Sequence, residues 1–199
     1  AFEGPAVVIV KHTNPCGVAI GVDNEQPLQK VFQAARSSDP QSAFGGIIAL
    51  NREVDRETAE EIAKDFYECV VAPGFSPEAL ALLQKKKNIR LMEFDGLSVG
   101  APLAAPLLKW DIKTVGGGLL VQDQDRSSEN VREAKVVTSR SPTEEEWQGL
   151  EFAWKVVKHV KSNAIVSAKG EGRIVRTVGI GAGQMSRVDA VHLSVRKAG

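Results

Sequence analysis

The segment VKHTNPCGVA sets Lys11 and His12 side by side at the end of an apolar run, Ala6 to Val10. Lysine offers a compact positive charge for a phosphate or a developing anion, and histidine titrates in the range that suits proton transfer near neutrality. A buried strand that ends on this pair and turns through Asn14, Pro15, Cys16 and Gly17 would place both beyond a strand's carboxyl end, where open α/β sheets bind ligands. A Lys-His dipeptide in such a place also fits a plain structural or exposed position.

Other segments carry groups of chemical use. SAFGG, Ser42 to Gly46, brings exposed backbone N–H groups close to a possible ligand and lets Phe44 stack on a flat ring. An ordinary loop with a core phenylalanine is the alternative. Glu68, between a helix and the strand carrying Cys69, could accept hydrogen bonds from ribose hydroxyls. KSNAI puts Ser162 and Asn163 where a helix ends and a strand begins. Asn163 there could pair with a ligand amide or simply cap the helix, and the last-turn carbonyls, Val157 to Val160, could hold a cation. GIGAGQMSR, Gly179 to Arg187, alternates three glycines ahead of a helix N-terminus, which attracts anions. It is neither the dinucleotide fingerprint nor a P-loop, so no nicotinamide or ATP site is supported, and a tight turn with Gln184 and Arg187 exposed is the alternative.

Pro15 and Cys16 invite comparison with zinc deaminases, whose Pro-Cys-x-x-Cys motif works with a His-x-Glu. Ala19 occupies the second cysteine's place and no His-x-Glu occurs, so no zinc site is expected and Cys16 reads as a buried filler. His192 shares a helical face with Val188 and Val195, which points to a packed histidine, and His159 reads as solvated.

The elements that must position these groups alternate. Ala6 to Val10 reads as a strand, followed by a helix with Leu28, Val31, Phe32 and Ala35 on one face, so a βα unit opens the chain. Ile47 to Leu50, Cys69 to Ala72 and Ile89 to Met92 read as further strands. Asp55 caps a helix with Ala59, Ile62, Ala63 and Phe66 as its apolar face, and Ser76 and Pro77 start another. DGLSVGAPLAAPLLKW, from Asp95 to Trp110, marks a connection between halves, giving one unit over 1–110 and connecting strands plus part of a second over 111–199. In the latter, Gly116 to Val121 and Ala134 to Thr138 read as strands around the turn QDQDRSSEN. Ser141, Pro142 and Glu144 read as a helix start with a capping box, with Trp147, Leu150, Trp154 and Val157 as its stripe. Ala164 to Ala168 and Ile174 to Ile180 read as strands, and Val188, Val191 and Val195 line a last helix. The fold class is α/β, a mixed sheet covered by helices.

With 199 residues and 43% hydrophobic content, the chain is long enough to bury a core. Its 25 basic and 25 acidic residues cancel, which leaves no electrostatic footprint for nucleic acid or an anionic membrane. The Lys85, Lys86, Lys87 run reads as a solvated helix end. Two cysteines suggest free thiols in a reducing, cytoplasmic setting, and no apolar stretch approaches the ~20 residues of a membrane span. An opening without Met and an ending in mid-pattern suggest a piece of a longer polypeptide.

Taken in order, VKHTNPCGVA, SAFGGIIALNREVD, VVAPGFSPEALALL, GGLLVQD, KSNAIV and GIGAGQMSR resemble the transformylase part of the bifunctional purine-biosynthesis enzymes that fuse AICAR formyltransferase to IMP cyclohydrolase. The resemblance covers nearly the whole chain. It implies formyl transfer from 10-formyltetrahydrofolate to the 5-amino group of the AICAR nucleotide, on a zinc-free fold resembling cytidine deaminase. It implies Lys11, His12 and Asn163 as catalytic residues; Phe44, Gly45 and Glu68 as nucleotide contacts; and Ser42, Arg187 and Val188 as neighbours of the folate. It also implies a possible potassium site at the backbone of Val157 and Ser162, and a homodimer in the parent enzyme. The cyclohydrolase domain and the C-terminal transformylase segment are expected to be absent, which would leave this fragment with little activity alone. GEGRIVRT, Gly170 to Thr177, lengthens a hairpin beyond the family's usual turn. A non-catalytic nucleotide-binding or dimerisation module is the competing expectation, and a zinc-free deaminase-like hydrolase a further one.

Overall fold

In the computed structural model, which describes residues 2–94, 110–125 and 129–199, the opening apolar run forms β1 (Ala6–Lys11) and reverses at once into β2 (Asn14–Gly21). The expected turn through Asn14 to Gly17 is therefore a strand, and a hairpin replaces the opening βα unit. The reversal is at His12 and Thr13, with φ of 50° and 71°, and Lys11 pairs with Asn14 across it. Two central residues with positive φ make the backbone of the primed hairpin turns, which ordinarily call for Asn-Gly. Gly17, read as turn chemistry, serves packing instead: a Cβ there would lie 2.0 Å from the Ala35 carbonyl oxygen.

The other elements are α1 (Leu28–Ser37), α2 (Pro40–Ala43), β3 (Ile47–Leu50), α3 (Arg56–Ile62), β4 (Cys69–Ala72), α4 (Pro77–Leu83) and β5 (Arg90–Glu93). After these come β6 (Trp110–Val115), β7 (Gly118–Asp123), α5 (Glu144–Val157), β8 (Ile165–Glu171), β9 (Ile174–Gly181) and α6 (Arg187–Ala198). Seven strands form one mixed sheet in the order β5-β4-β3-β1-β2-β9-β8, parallel from β3 to β5 and antiparallel elsewhere. The α/β class with a mixed, helix-covered sheet is what the sequence suggested. β9 pairs with β2, so the sheet runs across the position, near residue 110, where the two units were expected to divide. The expected connection from Asp95 to Trp110 and part of QDQDRSSEN lie outside the described residues.

The sheet has two cores. Val7, Ile9, Ile48, Leu50 and Val70 pack with Val31 and Phe32 of α1, Ala59 and Ile62 of α3, and Leu83 of α4. On the opposite face Val18, Val175 and Ile180 pack with Phe152 and Val156 of α5. Asp55 and Ser76 cap α3 and α4 as expected, accepting from the Thr58 and Ala79 N–H groups.

Several expectations from periodicity are corrected. Thr143, not Ser141, caps α5, in a capping box with Glu146. That helix buries Gly149, Phe152 and Val156, while Leu150 and Trp154 are 43% and 50% exposed. Both stripes have helical spacing, and only packing on the sheet chooses between them. On α6, Ala190 and Ser194 are buried, whereas Val188, Val191, Val195 and His192 are exposed. The cause lies in β9: a Cβ on Gly179 or Gly181 would sit 2.0 Å from the Ser194 or Ala190 carbonyl oxygen, so only small residues fit that contact. The alternating glycines thus bring strand and helix together rather than forming a phosphate loop. Ala134 to Thr138 is not a strand but follows a 3-10 turn, Val131–Glu133. β6 and β7 form a separate ribbon with Trp110, Ile112, Leu119 and Val121 on one face. No helix among the described residues is long and apolar enough to cross a membrane.

Candidate active site

The hairpin tip that carries His12 borders the start of β3. Val10 pairs with Ile47, Ile47 with Cys69, and Cys69 with Arg90, so Lys11, Gly46 and Glu68 follow one another along the same sheet end. This is the carboxyl end of β1 but the amino end of the parallel strands β3 to β5, because β1 runs against them. The rule that led from sequence to strand carboxyl ends therefore holds for Lys11 alone.

At this end the Lys11 ammonium donates to the Phe44 carbonyl oxygen. Gly45 follows with φ of 67°, and a Cβ there would lie 3.2 Å from Lys11 Nζ and 3.8 Å from the Phe66 ring. A bare backbone is thus what lets the lysine reach its acceptor. Phe44 is no core residue: it is 56% exposed and its ring lies 5.8 Å from that of Phe66, which is 36% exposed. The pair offers an open aromatic surface beside a cation. Gly45 N–H donates to Phe66 O, and Glu68 N–H to Gly46 O, which ties the aromatic segment to the glycines. The Glu68 carboxylate forms an ion pair with Arg90 at 2.8 Å. Phe66 was read as part of the α3 face because it lies four residues beyond Ile62. It falls past the end of that helix and turns toward Phe44.

His12 is exposed at the tip, in a left-handed conformation shared with the β-branched Thr13. Such backbone costs roughly 1–3 kcal/mol per residue and clusters at functional sites. A cavity of about 380 Å³ lies alongside, lined by Lys11, His12, Asn14, Cys16, Ser42 and Lys197 among others. The structure thus brings Lys11, His12 and Ser42 together. Pro15 lines both this cavity and a larger one of about 920 Å³ on the α5 face, where Val157, Trp154 and Val10 form apolar walls. Burial, with the Asp39 charge adding to it, pushes the Cys16 thiol up to about 11, and its Sγ donates to Ile9 O. It is a filler rather than a nucleophile.

Asn163 does not line the smaller cavity. Its side-chain amide donates to Gln184 O at 3.1 Å and Met185 O at 3.0 Å, and the Ser162–Asn163 peptide is cis. The tie to the hairpin runs through Asn14, whose Oδ1 accepts the Lys161 N–H at 3.0 Å. The helix-end carbonyls are partly used: Val157 O accepts the Val160 N–H at 3.0 Å. Arg187 and Val188 open α6, exposed and outside the smaller cavity. Among the described residues, no group of three or more His, Cys, Asp and Glu side chains is placed to hold a metal ion.

Sequence comparison puts this site in context. The family described as AICARFT/IMPCHase bienzyme matches residues 1–197. The bifunctional purine biosynthesis protein PurH of Sorangium cellulosum is 53% identical over 199 residues, covering 100% of this chain and 36% of that protein. PurH of Shouchella clausii is 49% identical over 198 residues, with coverage of 100% and 36%. The chain therefore spans about a third of the length of these relatives. Among solved structures, the apo dCMP deaminase of cyanophage S-TIM5 overlaps 45% of this chain and 79% of its own, at 10% identity and a TM-score of 0.37. With the family match running from residue 1 to 197 and about half of the positions shared with full-coverage relatives, the chain belongs to the AICARFT/IMPCHase bienzyme family.

Proposed function

We propose that this chain supplies the nucleotide side of a formyl-transfer site in purine biosynthesis, moving a formyl group from 10-formyltetrahydrofolate to the 5-amino group of AICAR. The observation that carries the reading is the joint placement of Lys11, Phe44 and Gly45: a cation held by a backbone carbonyl beside an exposed aromatic pair, with His12 at the adjoining tip.

The acceptor amine is conjugated with its ring and carboxamide, which makes it a poor nucleophile that needs a base and exact orientation. Its nitrogen attacks the formyl carbon, and the C=O pair moves onto oxygen. His12 takes the proton released on the amine side. As the tetrahedral intermediate collapses, the oxygen pair re-forms C=O, the carbon–N10 bond breaks and N10 takes a proton from the Lys11 ammonium, which is restored by the proton His12 removed from the amine. Phe44 supports the flat imidazole, Glu68 accepts from ribose hydroxyls, and Asn163 offers its amide oxygen to the carboxamide. Ser42 belongs to the folate side, with Arg187 and Val188 reached from the start of α6. Potassium bound at the Val157 and Ser162 backbone would brace the α5 end.

Calorimetry of this chain with AICAR, followed by a folate-coupled turnover assay on a longer version matching the length of its relatives, tests this. Lys11→Met should lower turnover of the longer version by at least about tenfold, the value of one charge-assisted contact of roughly 1.5 kcal/mol made as the folate nitrogen leaves. His12→Ala should reduce turnover by at least about a hundredfold with binding nearly intact. Near-normal turnover in His12→Ala would refute its role as base. Binding without turnover in the longer version favours the second reading, a nucleotide-binding module.

A further inference from the structure

One ion pair links the far end of the chain to the candidate site. Lys197, in the last turn of α6, donates to Asp39 Oδ2 at 2.5 Å across 158 positions of sequence. The Asp39 side chain is only 11% exposed and that of Lys197 30%, unlike the surface pair Arg56–Glu60 at 65% and 47%. The other Asp39 oxygen caps α2 by accepting the Ser42 N–H at 3.0 Å. That short helix ends on Phe44, whose carbonyl receives the Lys11 ammonium. Just before it, Ser38 donates to Thr177 O, so residues 38 and 39 are pinned to both β9 and α6. Lys11, Ser42 and Lys197 border the same cavity. Burial alone would raise the Asp39 carboxyl, yet the bonds from Lys197 and Ser42 hold it below its ordinary value.

We propose that Lys197 is a positioning residue for this site: through Asp39 it fixes the α2 turn, and so the Phe44 carbonyl that orients the Lys11 ammonium. The role rests on the reading of Lys11 as the site's cation. Lys197 touches neither substrate nor the reacting atoms in this scheme. It acts by holding one wall of the cavity, which makes the C-terminal helix part of the machinery rather than a cover for β9.

The test is competitive acetylation of the whole chain, read by mass spectrometry as the rate at Lys11 relative to the exposed Lys85 and Lys86. Lys197→Met and Asp39→Asn should each raise the relative rate by roughly fivefold, the equivalent of about 1 kcal/mol for a partly withdrawn ion pair. Asparagine is as good a cap as aspartate, so Asp39→Asn isolates the charge. The double variant should exceed neither single one, and Lys197→Arg should return the rate to within about twofold. A Lys11 rate unchanged in Lys197→Met or in Asp39→Asn, with circular dichroism intact, overturns the proposal. Should Lys197→Met fail to fold, Asp39→Asn and Lys197→Arg carry the decision. Unaltered turnover in Lys11→Met of the longer version would instead remove the functional reading, and the acetylation result would still judge the contact.

Discussion

Thr177 is fully buried where the β2–β9 ladder stops, and its replacement by valine tests how the two halves of the sheet are joined. Backbone pairing of β2 with β9 covers Gly21, Ile20 and Ala19, ending at Arg176. Next along β2, the Val18 N–H finds no strand partner on β9 and donates to Thr177 Oγ1 at 3.0 Å, so a side chain continues the ladder. The hydroxyl also lies 3.3 Å from Val18 O and 2.8 Å from Ser38 Oγ, to one of which its single proton goes. Valine keeps the shape and removes the acceptor. The Ser38 hydroxyl retains Thr177 O, but Val18 N–H is left buried without a partner, at a cost of about 1–3 kcal/mol. Taking about 2 kcal/mol, the melting temperature should fall by roughly 4–8 °C, and the urea midpoint by roughly 1 M for a slope near 2 kcal/mol/M. Thr177→Ser is the control, since it keeps the hydroxyl and loses one methyl, worth about 1 kcal/mol. If Thr177→Val proves as stable as Thr177→Ser or more so, the hydroxyl is not the acceptor that joins the strands.

Gly181→Ala should destabilise by about 1–3 kcal/mol or more, because its Cβ would fall 2.0 Å from Ala190 O and 2.8 Å from Ala190 C, while Gly118→Ala, with nothing within 4 Å, should stay within about 0.5 kcal/mol; thermal melts of both decide it. Cys16 should resist iodoacetamide in the folded chain at pH 8. Its thiol is raised from 9.0 to about 11, so this contribution to stability is complete below the ordinary thiol value and lost as pH rises through about 11. Alkylation of Cys16 at the rate of an unfolded control would contradict that burial.

Much of the fold was legible because local rules and tertiary packing agreed. The α1 face of Leu28, Val31, Phe32 and Ala35, the caps Asp55 and Ser76, and the parallel strands beginning at Ile47, Cys69 and Arg90 all depend on short-range periodicity and capping. Where two helical stripes shared one period, as on α5 and α6, periodicity alone did not choose between them, and the sheet took Gly149, Phe152 and Val156 on α5 and the small Ala190 and Ser194 on α6. The hairpin at His12 and Thr13 was hidden for a different reason. The β-branched Thr13 disfavours positive φ, neither residue is the Asn or Gly of the usual hairpin turn, and Asn-Pro-Cys-Gly offered a more conventional turn nearby.

For the candidate site, the sequence by itself determined which chemistry is at hand: a lysine and a histidine in tandem, a glycine pair after Phe44, and no zinc ligand set of the deaminase kind. Proximity is a long-range property, and composition and spacing do not encode it. The tertiary structure decided that Lys11 reaches Phe44 across 33 positions, that Phe66 leaves its helix to join Phe44, and that Asn163 turns its amide toward residues 184 and 185. It also decided that Lys197 reaches Asp39, because antiparallel pairing of β2 with β9 carries the last helix back to the first turn of the site.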